Sequence, residues 1–101
     1  MTQVNSLEAN ILNEIMKVES IQLIDLRETS VKKFEIANAL CIPFSELDNR
    51  VSEISKEKKV VLFCEHGELS FFAAYKLQTK NGFSNVFSLK GGILAALENY
   101  P

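Results

Sequence analysis

The stretch of residues 59–70 constrains the fold of this chain more than any other. Its first part, the Val-Val-Leu-Phe run at 60–63, is apolar and rich in β-branched and aromatic side chains, which is typical of a buried strand in a parallel sheet. Cys64 follows directly, then a turn that contains Gly67, then a mostly apolar helical segment at 71–77. The stretch therefore predicts a cysteine at a strand-to-helix turn.

Such a turn is a favourable place for chemistry. Ligands of open α/β sheets bind at the carboxyl ends of the strands. The first N–H groups of a helix that starts there have no partner within the helix and carry partial positive charge, so they stabilise an anion. A thiol beside such a helix end forms a thiolate more easily than a free thiol. Cys64 is therefore the candidate nucleophile, and the candidate loop around it is Glu65, His66, Gly67, Glu68, Leu69 and Ser70.

The rest of the chain predicts strands and helices in alternation. Apolar residues at helical spacing indicate a helix over residues 6–18, opened by an Asn5–Glu8 capping box. Gly82, just after the helix that follows Cys64, suits a left-handed helix end. The other predicted elements are a strand at 21–26, a short helix or turn at 30–39, a strand at 40–42, a helical segment at 43–54, a strand at 86–89 and a helix at 93–99. This alternation predicts one α/β domain over residues 1–101, with a mostly parallel sheet flanked by helices on both faces.

Composition and charge exclude several classes of function. A formal net charge of −2 argues against a partner that is nucleic acid or an anionic membrane. No apolar run approaches the ~20 residues of a membrane span, and the N-terminal residues lack the features of a signal peptide. We therefore expect a cytoplasmic protein whose thiols stay reduced. Two cysteines, Cys41 and Cys64, and one histidine do not have the spacing of a zinc site, so we expect no metal and no cofactor.

Four further residues are candidates for a supporting role. Asp25 and Arg27 end the predicted 21–26 strand, at the same sheet edge as Cys64 if the strands are parallel. We expect Asp25 to accept backbone hydrogen bonds and Arg27 to form an ion pair, with Arg27 also the nearest candidate cation. Cys41 has the apolar context of a core cysteine, and a resolving thiol is the alternative. His66 lies two residues from Cys64, where it either favours the thiolate or is an exposed loop residue.

Five segments in register resemble the rhodanese-like domain family. They are Leu23–Glu28, Ile42-Pro43, the Val60–Cys64 strand with Gly67 and Ser70, Gly82–Val86, and Leu89–Ile93. The resemblance implies a single-domain sulfurtransferase in which Cys64 becomes a persulfide. The sulfur would come from thiosulfate, a polysulfide or a protein persulfide, and would pass to a thiol or cyanide. The resemblance also implies that loop N–H groups hold the persulfide, while Asp25 and Arg27 brace the site.

The sequence departs from the family pattern in and near the loop. Leu69 stands where many active members have Arg or Lys, Glu65 and Glu68 replace basic or neutral residues, and residues 34–38 replace a Gly-His-Ile-Pro-Gly segment. Loss of a bidentate Arg contact, worth roughly 1.5–3 kcal/mol, together with added negative charge should lower thiosulfate affinity about ten- to a hundredfold. A polysulfide or a protein persulfide is therefore the expected donor.

Two other functions stay open at this level. A rhodanese-like interaction or regulatory module with little or no activity would explain the altered loop, although Cys64, Gly67 and Ser70 are retained. A phosphatase or arsenate reductase of the cysteine-loop type needs a longer loop and an Arg that holds the oxyanion, which Leu69 does not supply. The sequence does not identify the physiological donor, the acceptor or the oligomeric state.

Overall fold

The computed structural model describes residues 4–28 and 38–99, with side chains described as far as residue 95. The predicted helix or turn at 30–39 lies almost wholly outside these residues, as does most of the unusual segment at 34–38. Within the described residues the elements are β1 (Ser6–Leu7), α1 (Ala9–Met16), β2 (Ile21–Asp25), β3 (Leu40–Cys41), 3₁₀ turns at Phe44–Asn49 and Val51–Glu53, β4 (Lys59–Phe63), α2 (Glu68–Lys80), β5 (Val86–Leu89) and α3 (Gly92–Asn99).

The five described strands form one sheet in the order β1-β5-β4-β2-β3. Every neighbouring pair is parallel, so the carboxyl ends of all five strands share one edge. The register places Asp25 opposite both Phe63 and Cys41. The apolar β4 is the central strand and is covered on both faces, which explains why its sequence is apolar without alternation.

Helices cover both faces of this sheet, as the sequence predicted. On one face, Val60 and Leu62 of β4 pack with Ala73, Ala74 and Leu77 of α2. On the other face the buried cluster contains residues of β4, α1, β5 and α3, namely Val61, Phe63, Leu12, Leu89 and Ile93. Successive side chains of a strand point to opposite faces, so the single run at 60–63 contributes to both cores.

The start of the chain differs from the prediction. The helix expected over residues 6–18 begins at Ala9 and ends at Met16, and Ser6–Leu7 is a strand on the edge of β5. The Ser88 N–H donates to the Asn5 carbonyl at 2.8 Å. Glu8 is the N-cap and makes no side-chain capping bond, so the expected capping box is wrong. Pairing with the otherwise unpaired edge of β5 gives these backbone groups partners that a longer helix would not supply.

The helical segment predicted at 43–54 consists of two short 3₁₀ helices. The N–H groups of Glu46 and Arg50 donate to carbonyls three residues earlier. Apolar residues three and four apart fit either kind of helix in so short a segment. The predictions for β2, β4, α2, β5 and α3 are confirmed within a few residues, and Gly82 has the expected positive φ, 72°.

Candidate active site

The thiol of Cys64 lies at the carboxyl end of the central strand, directly after β4. Cys64 is only 4% exposed. Its Sγ accepts hydrogen bonds from the N–H of Gly67 at 3.1 Å and from the N–H of Ser70 at 3.3 Å. α2 starts at Glu68, so the sulfur sits at the positive end of a thirteen-residue helix. Two of the loop N–H groups thus contact the sulfur, in the arrangement that favours an anion.

A pair of glycines from another part of the chain closes the loop from behind. Gly67 has a φ of +99°, and a Cβ on it would lie 3.1 Å from the Gly91 nitrogen. Gly92 has a φ of +66°, and a Cβ there would lie 2.4 Å from the Glu65 carbonyl oxygen. The N–H of Ile93 donates to the Cys64 carbonyl at 2.8 Å. In the sequence this glycine pair only separates a predicted strand from a predicted helix, whereas in the structure it lies directly against the Cys64 loop.

A buried hydroxyl pair lies beside the sulfur. The Ser70 hydroxyl is 3.7 Å from the Cys64 Sγ and donates to the Gly67 carbonyl at 3.2 Å. It lies 2.8 Å from the Ser88 hydroxyl, and the two hydroxyls form a buried hydrogen bond. Sequence reasoning did not single out Ser88, although a serine within an otherwise apolar predicted strand was a usable signal.

Asp25 and Arg27 form a buried ion pair at the end of β2. Two side-chain bonds join them, Nε to Oδ1 at 3.0 Å and Nη2 to Oδ2 at 2.9 Å, and the Arg27 N–H also donates to Oδ1 at 3.0 Å. The guanidinium lies 5.9 Å from the centre of the Phe63 ring. Phe63 directly precedes Cys64, so the pair lies at the strand ends next to the loop. The sequence expectation of an ion pair and a backbone bond at Asp25 is confirmed.

The other loop side chains surround two neighbouring cavities. A cavity of about 180 Å³ is lined by Cys64, Glu65, His66, Glu68 and Leu69. A cleft of about 410 Å³ shares His66 and Glu68 with it and extends to Phe71, Ser88 and Lys90. His66 is exposed, and among the described residues its ring makes no hydrogen bond to the sulfur. Among those residues, no lysine or arginine lines the cavity into which Cys64 opens.

Cys41 is only half-buried, whereas the sequence predicted a core position. It belongs to the two-residue strand β3, which is at the edge of the sheet formed by the described strands. Asp25 lies between Cys41 and Phe63 in the sheet, so two strand spacings of about 4.8 Å separate their backbones. That separation exceeds the ~7 Å limit for a disulfide, so Cys41 and Cys64 do not pair without backbone movement.

The described part of the chain offers neither a metal-ligand cluster nor a membrane-spanning helix. No group of three or more His, Cys, Asp and Glu side chains there is placed to hold a metal ion. No helix there is long and apolar enough to cross a membrane.

The fold and the site together define a class: parallel α/β domains with a cysteine in a short loop at a helix N-terminus. The chain belongs to the rhodanese-like domain family, since the family model matches residues 8–99. This confirms the resemblance seen in the sequence.

Three similar proteins illustrate the relationship. A sulfurtransferase from Allochromatium vinosum is 34% identical over 95 residues, which cover 91% of this chain and 87% of that protein. The thiosulfate sulfurtransferase GlpE of Coxiella burnetii is 34% identical over 100 residues, which cover 98% of this chain and 90% of that protein. The crystal structure of a rhodanese-related protein from Thermoplasma volcanium has a TM-score of 0.80 at 31% identity, over 96% of this chain and 95% of the other. At the family level, these relatives support a sulfurtransferase-type enzyme.

Proposed function

We propose that this protein is a sulfurtransferase or persulfide carrier in which Cys64 accepts a sulfane sulfur and passes it to a thiol. The observation that supports this most directly is the pair of N–H donors, from Gly67 and Ser70, aimed at a sulfur at the end of the central strand. A buried cysteine with a purely structural role needs no such donors. Asp25 and Arg27 act as positioning residues beneath the loop.

The chemistry consists of two displacements at sulfur. In the first, the Cys64 thiolate attacks a sulfur atom of the donor, a new S–S bond forms, and the donor's own S–S bond breaks with its electron pair. In the second, the acceptor thiolate attacks the outer sulfur of the Cys64 persulfide, and Cys64 leaves as a thiolate. A neutral sulfur atom moves in each step, so the cycle requires no oxidant or reductant.

The cavity over Cys64 favours a polysulfide or a protein persulfide over thiosulfate as the donor. Transfer from thiosulfate releases sulfite, whose charged oxygens need cationic or N–H partners, and the cavity instead presents Glu65, Glu68 and Leu69. The terminal S–H sulfur of a hydrogen polysulfide carries no formal charge. Attack of the Cys64 thiolate on it adds one sulfur atom and releases a polysulfide that is one sulfur shorter. The Coxiella burnetii relative is named for thiosulfate, so that donor is the alternative that an experiment must address.

The decisive measurement is the intact mass of the reduced protein after incubation with polysulfide and, separately, with thiosulfate. We expect one added sulfur atom from polysulfide, located on Cys64 by peptide mapping, lost in Cys64→Ser and retained in Cys41→Ser. Thiosulfate should load Cys64 about ten- to a hundredfold more weakly. Loading by neither donor would contradict the proposal and favour an interaction module of this fold, which retains its function in Cys64→Ser.

Replacement of Leu69 tests the charge argument separately. Leu69→Arg puts a cation beside the cavity, so thiosulfate loading should rise about tenfold or more while polysulfide loading changes little. Leu69→Gln is the matched control, because it adds polarity without charge and should not reproduce the gain. An equal response to the two substitutions would show that charge at this position does not select the donor.

A further inference from the structure

The outer face of α2 exposes an unusual number of large apolar side chains. Leu69, Phe71, Phe72 and Tyr75 are 45–54% exposed and make up half of the eight large exposed hydrophobic residues of the described chain. The opposite side of the helix, with Ser70, Ala73, Ala74 and Leu77, is buried against the sheet. We call the exposed set, Leu69, Phe71, Phe72 and Tyr75, the α2 outer face. Contiguous apolar surface of this kind often marks an interaction site.

This face adjoins the Cys64 loop. Leu69 lines the cavity over the thiol, and Phe71 lines the adjoining cleft. Phe72 lies about one helical turn after Leu69. Its ring centre is 6.1 Å from that of Phe44, in a tilted arrangement. Phe72 and Tyr75 line neither of these two cavities, so a small donor or acceptor seated over Cys64 would not contact them. Only a larger partner would cover them while reaching the sulfur.

The charges around the face specify the chemistry of that partner. Glu65 and Glu68 lie at the end nearest the thiol, and neither has an ion-pair partner among the described residues. Lys76 of α2 is paired with Asp48 at 2.9 Å. Lys90 lines the cleft from the turn after β5 rather than from α2. The surface beside the thiol is therefore apolar with an acidic end, which complements basic and apolar side chains and repels acidic ones.

We propose that the α2 outer face docks a protein partner whose reactive cysteine lies in a segment of basic and apolar side chains. This inference rests on the proposed sulfur transfer and names the class of its partner. Basic side chains of the partner would lie against Glu65 and Glu68, and its apolar side chains against Phe72 and Tyr75. Aromatic side chains are the residues most often found to dominate the free energy of binding at such interfaces.

The test uses the full chain, loaded with sulfur by polysulfide and checked by mass, and three short cysteine peptides. The cysteine is flanked by Lys and Leu in the first, by Asp and Leu in the second and by Ser and Gly in the third. We expect the basic peptide to accept sulfur at least tenfold faster than the acidic one. The double substitution Glu65→Gln with Glu68→Gln should lower the ratio of the rate for the basic peptide to the rate for the acidic peptide. Equal rates for all three peptides would overturn the proposal.

Substitutions on the face locate the docking surface. Phe72→Ser with Tyr75→Ser should lower the rate for the basic peptide, relative to free cysteine as acceptor, at least fivefold. Val18→Ser is the matched control, since Val18 is an apolar residue that is 82% exposed and lies outside the site. It should leave this ratio unchanged. A ratio that does not respond to the paired substitution would contradict docking on α2.

Binding without chemistry separates this proposal from the proposed function. Binding is measured by the fluorescence anisotropy of labelled peptides that carry Ser in place of Cys. We expect the unloaded protein to bind the basic peptide, and we expect Phe72→Ser with Tyr75→Ser to weaken this binding. If polysulfide fails to load Cys64 but this binding is seen, docking stands and sulfur transfer fails. If loading succeeds but no peptide binds selectively, docking fails. Self-association in wild type that is lost in the paired variant would instead assign the face to a second copy of the chain.

Discussion

At the scale of single residues, the thiol of Cys64 depends on groups that are far away in the sequence. Gly67 and Ser70 provide the N–H donors, but Gly91 and Gly92 lie directly behind the loop, and Ser88 completes the hydroxyl pair. The main requirement at Gly92 is that no side chain be present. Because glycine has no Cβ, the start of α3 can approach the backbone carbonyls of the loop closely.

Gly92→Ala should therefore harm both the loop and the fold. A Cβ at residue 92 would meet the Glu65 oxygen at 2.4 Å and the Cys64 oxygen at 2.5 Å, so backbone must move. We expect a loss of about 1–3 kcal/mol in the free energy of unfolding from overpacking, in addition to the strain of a positive φ. Urea unfolding measures the loss, and the rate of polysulfide loading should fall in the folded protein.

Gly82→Ala is the matched control for this prediction. Its φ is similar, +72°, but a Cβ there would have nothing within 4 Å. It should show only the strain of the positive φ, about 1–2 kcal/mol, with normal loading of Cys64. If the two alanine variants have the same stability and the same loading rate, the contact between Gly92 and the loop is not important.

At the scale of elements, the carboxyl ends of β2 and β4 support the site together. The Leu26 N–H donates to the Phe63 carbonyl at 2.9 Å, and the Phe44 N–H donates to the Leu26 carbonyl at 2.9 Å. The buried pair of Asp25 and Arg27 lies at the same place. The position of Cys64 thus depends on both strand ends, and a substitution at the end of β2 should also affect the Cys64 loop.

Asp25→Asn should be strongly destabilising, since it removes the negative charge that forms two buried side-chain bonds with Arg27. Removal of one partner of a buried ion pair typically costs about 3–5 kcal/mol in the free energy of unfolding. The urea midpoint measures this loss. Glu14→Gln, which removes a pair with Lys17 whose side chains are 70% and 69% exposed, is the control and should leave the midpoint unchanged. Similar midpoints for the two variants would mean that the buried pair stabilises the fold no more than the exposed pair does.

At the scale of the whole molecule, one sheet separates two cores. α2 covers one face, α1 and α3 cover the other, and the same residues of β4 contribute to both. The edge strands β1 and β3 have only two residues each, which limits edge-to-edge association. Because the two cores share the central strand, we expect them to unfold together.

Leu12→Ala and Leu77→Ala test this coupling from opposite faces. Each leucine is 1% exposed, so each truncation should lower the free energy of unfolding by about 2–5 kcal/mol. We expect a single cooperative urea transition, at a lower midpoint, in both variants. Circular dichroism and tyrosine fluorescence should report the same midpoint. Two separate transitions in either variant would contradict a single domain.

The local pattern of the sequence was enough to predict most elements but not their ends. The apolar run at 60–63 and the helix after it were recognisable because their spacing is a local property. Ser6–Leu7 was assigned to a helix because its pairing with β5 depends on residues more than eighty positions away. At 43–54 the sequence predicts a helical segment but not its kind, because a few apolar residues cannot distinguish a 3₁₀ helix from an α-helix.

The amino-acid sequence is enough to predict the α/β class, the buried strand at 60–63, the cysteine at its end and the glycine that lets the loop turn. Each of these follows from a residue type or a short periodic pattern, which the chain encodes locally. The tertiary structure was needed to show that Gly92 and Ser88 lie beside the loop and that Cys41 is half-exposed. It also shows that, within the described residues, His66 makes no hydrogen bond to the sulfur. These outcomes depend on which strands become neighbours in the sheet and on how closely backbones approach. Neither is written in the spacing of residues along the chain.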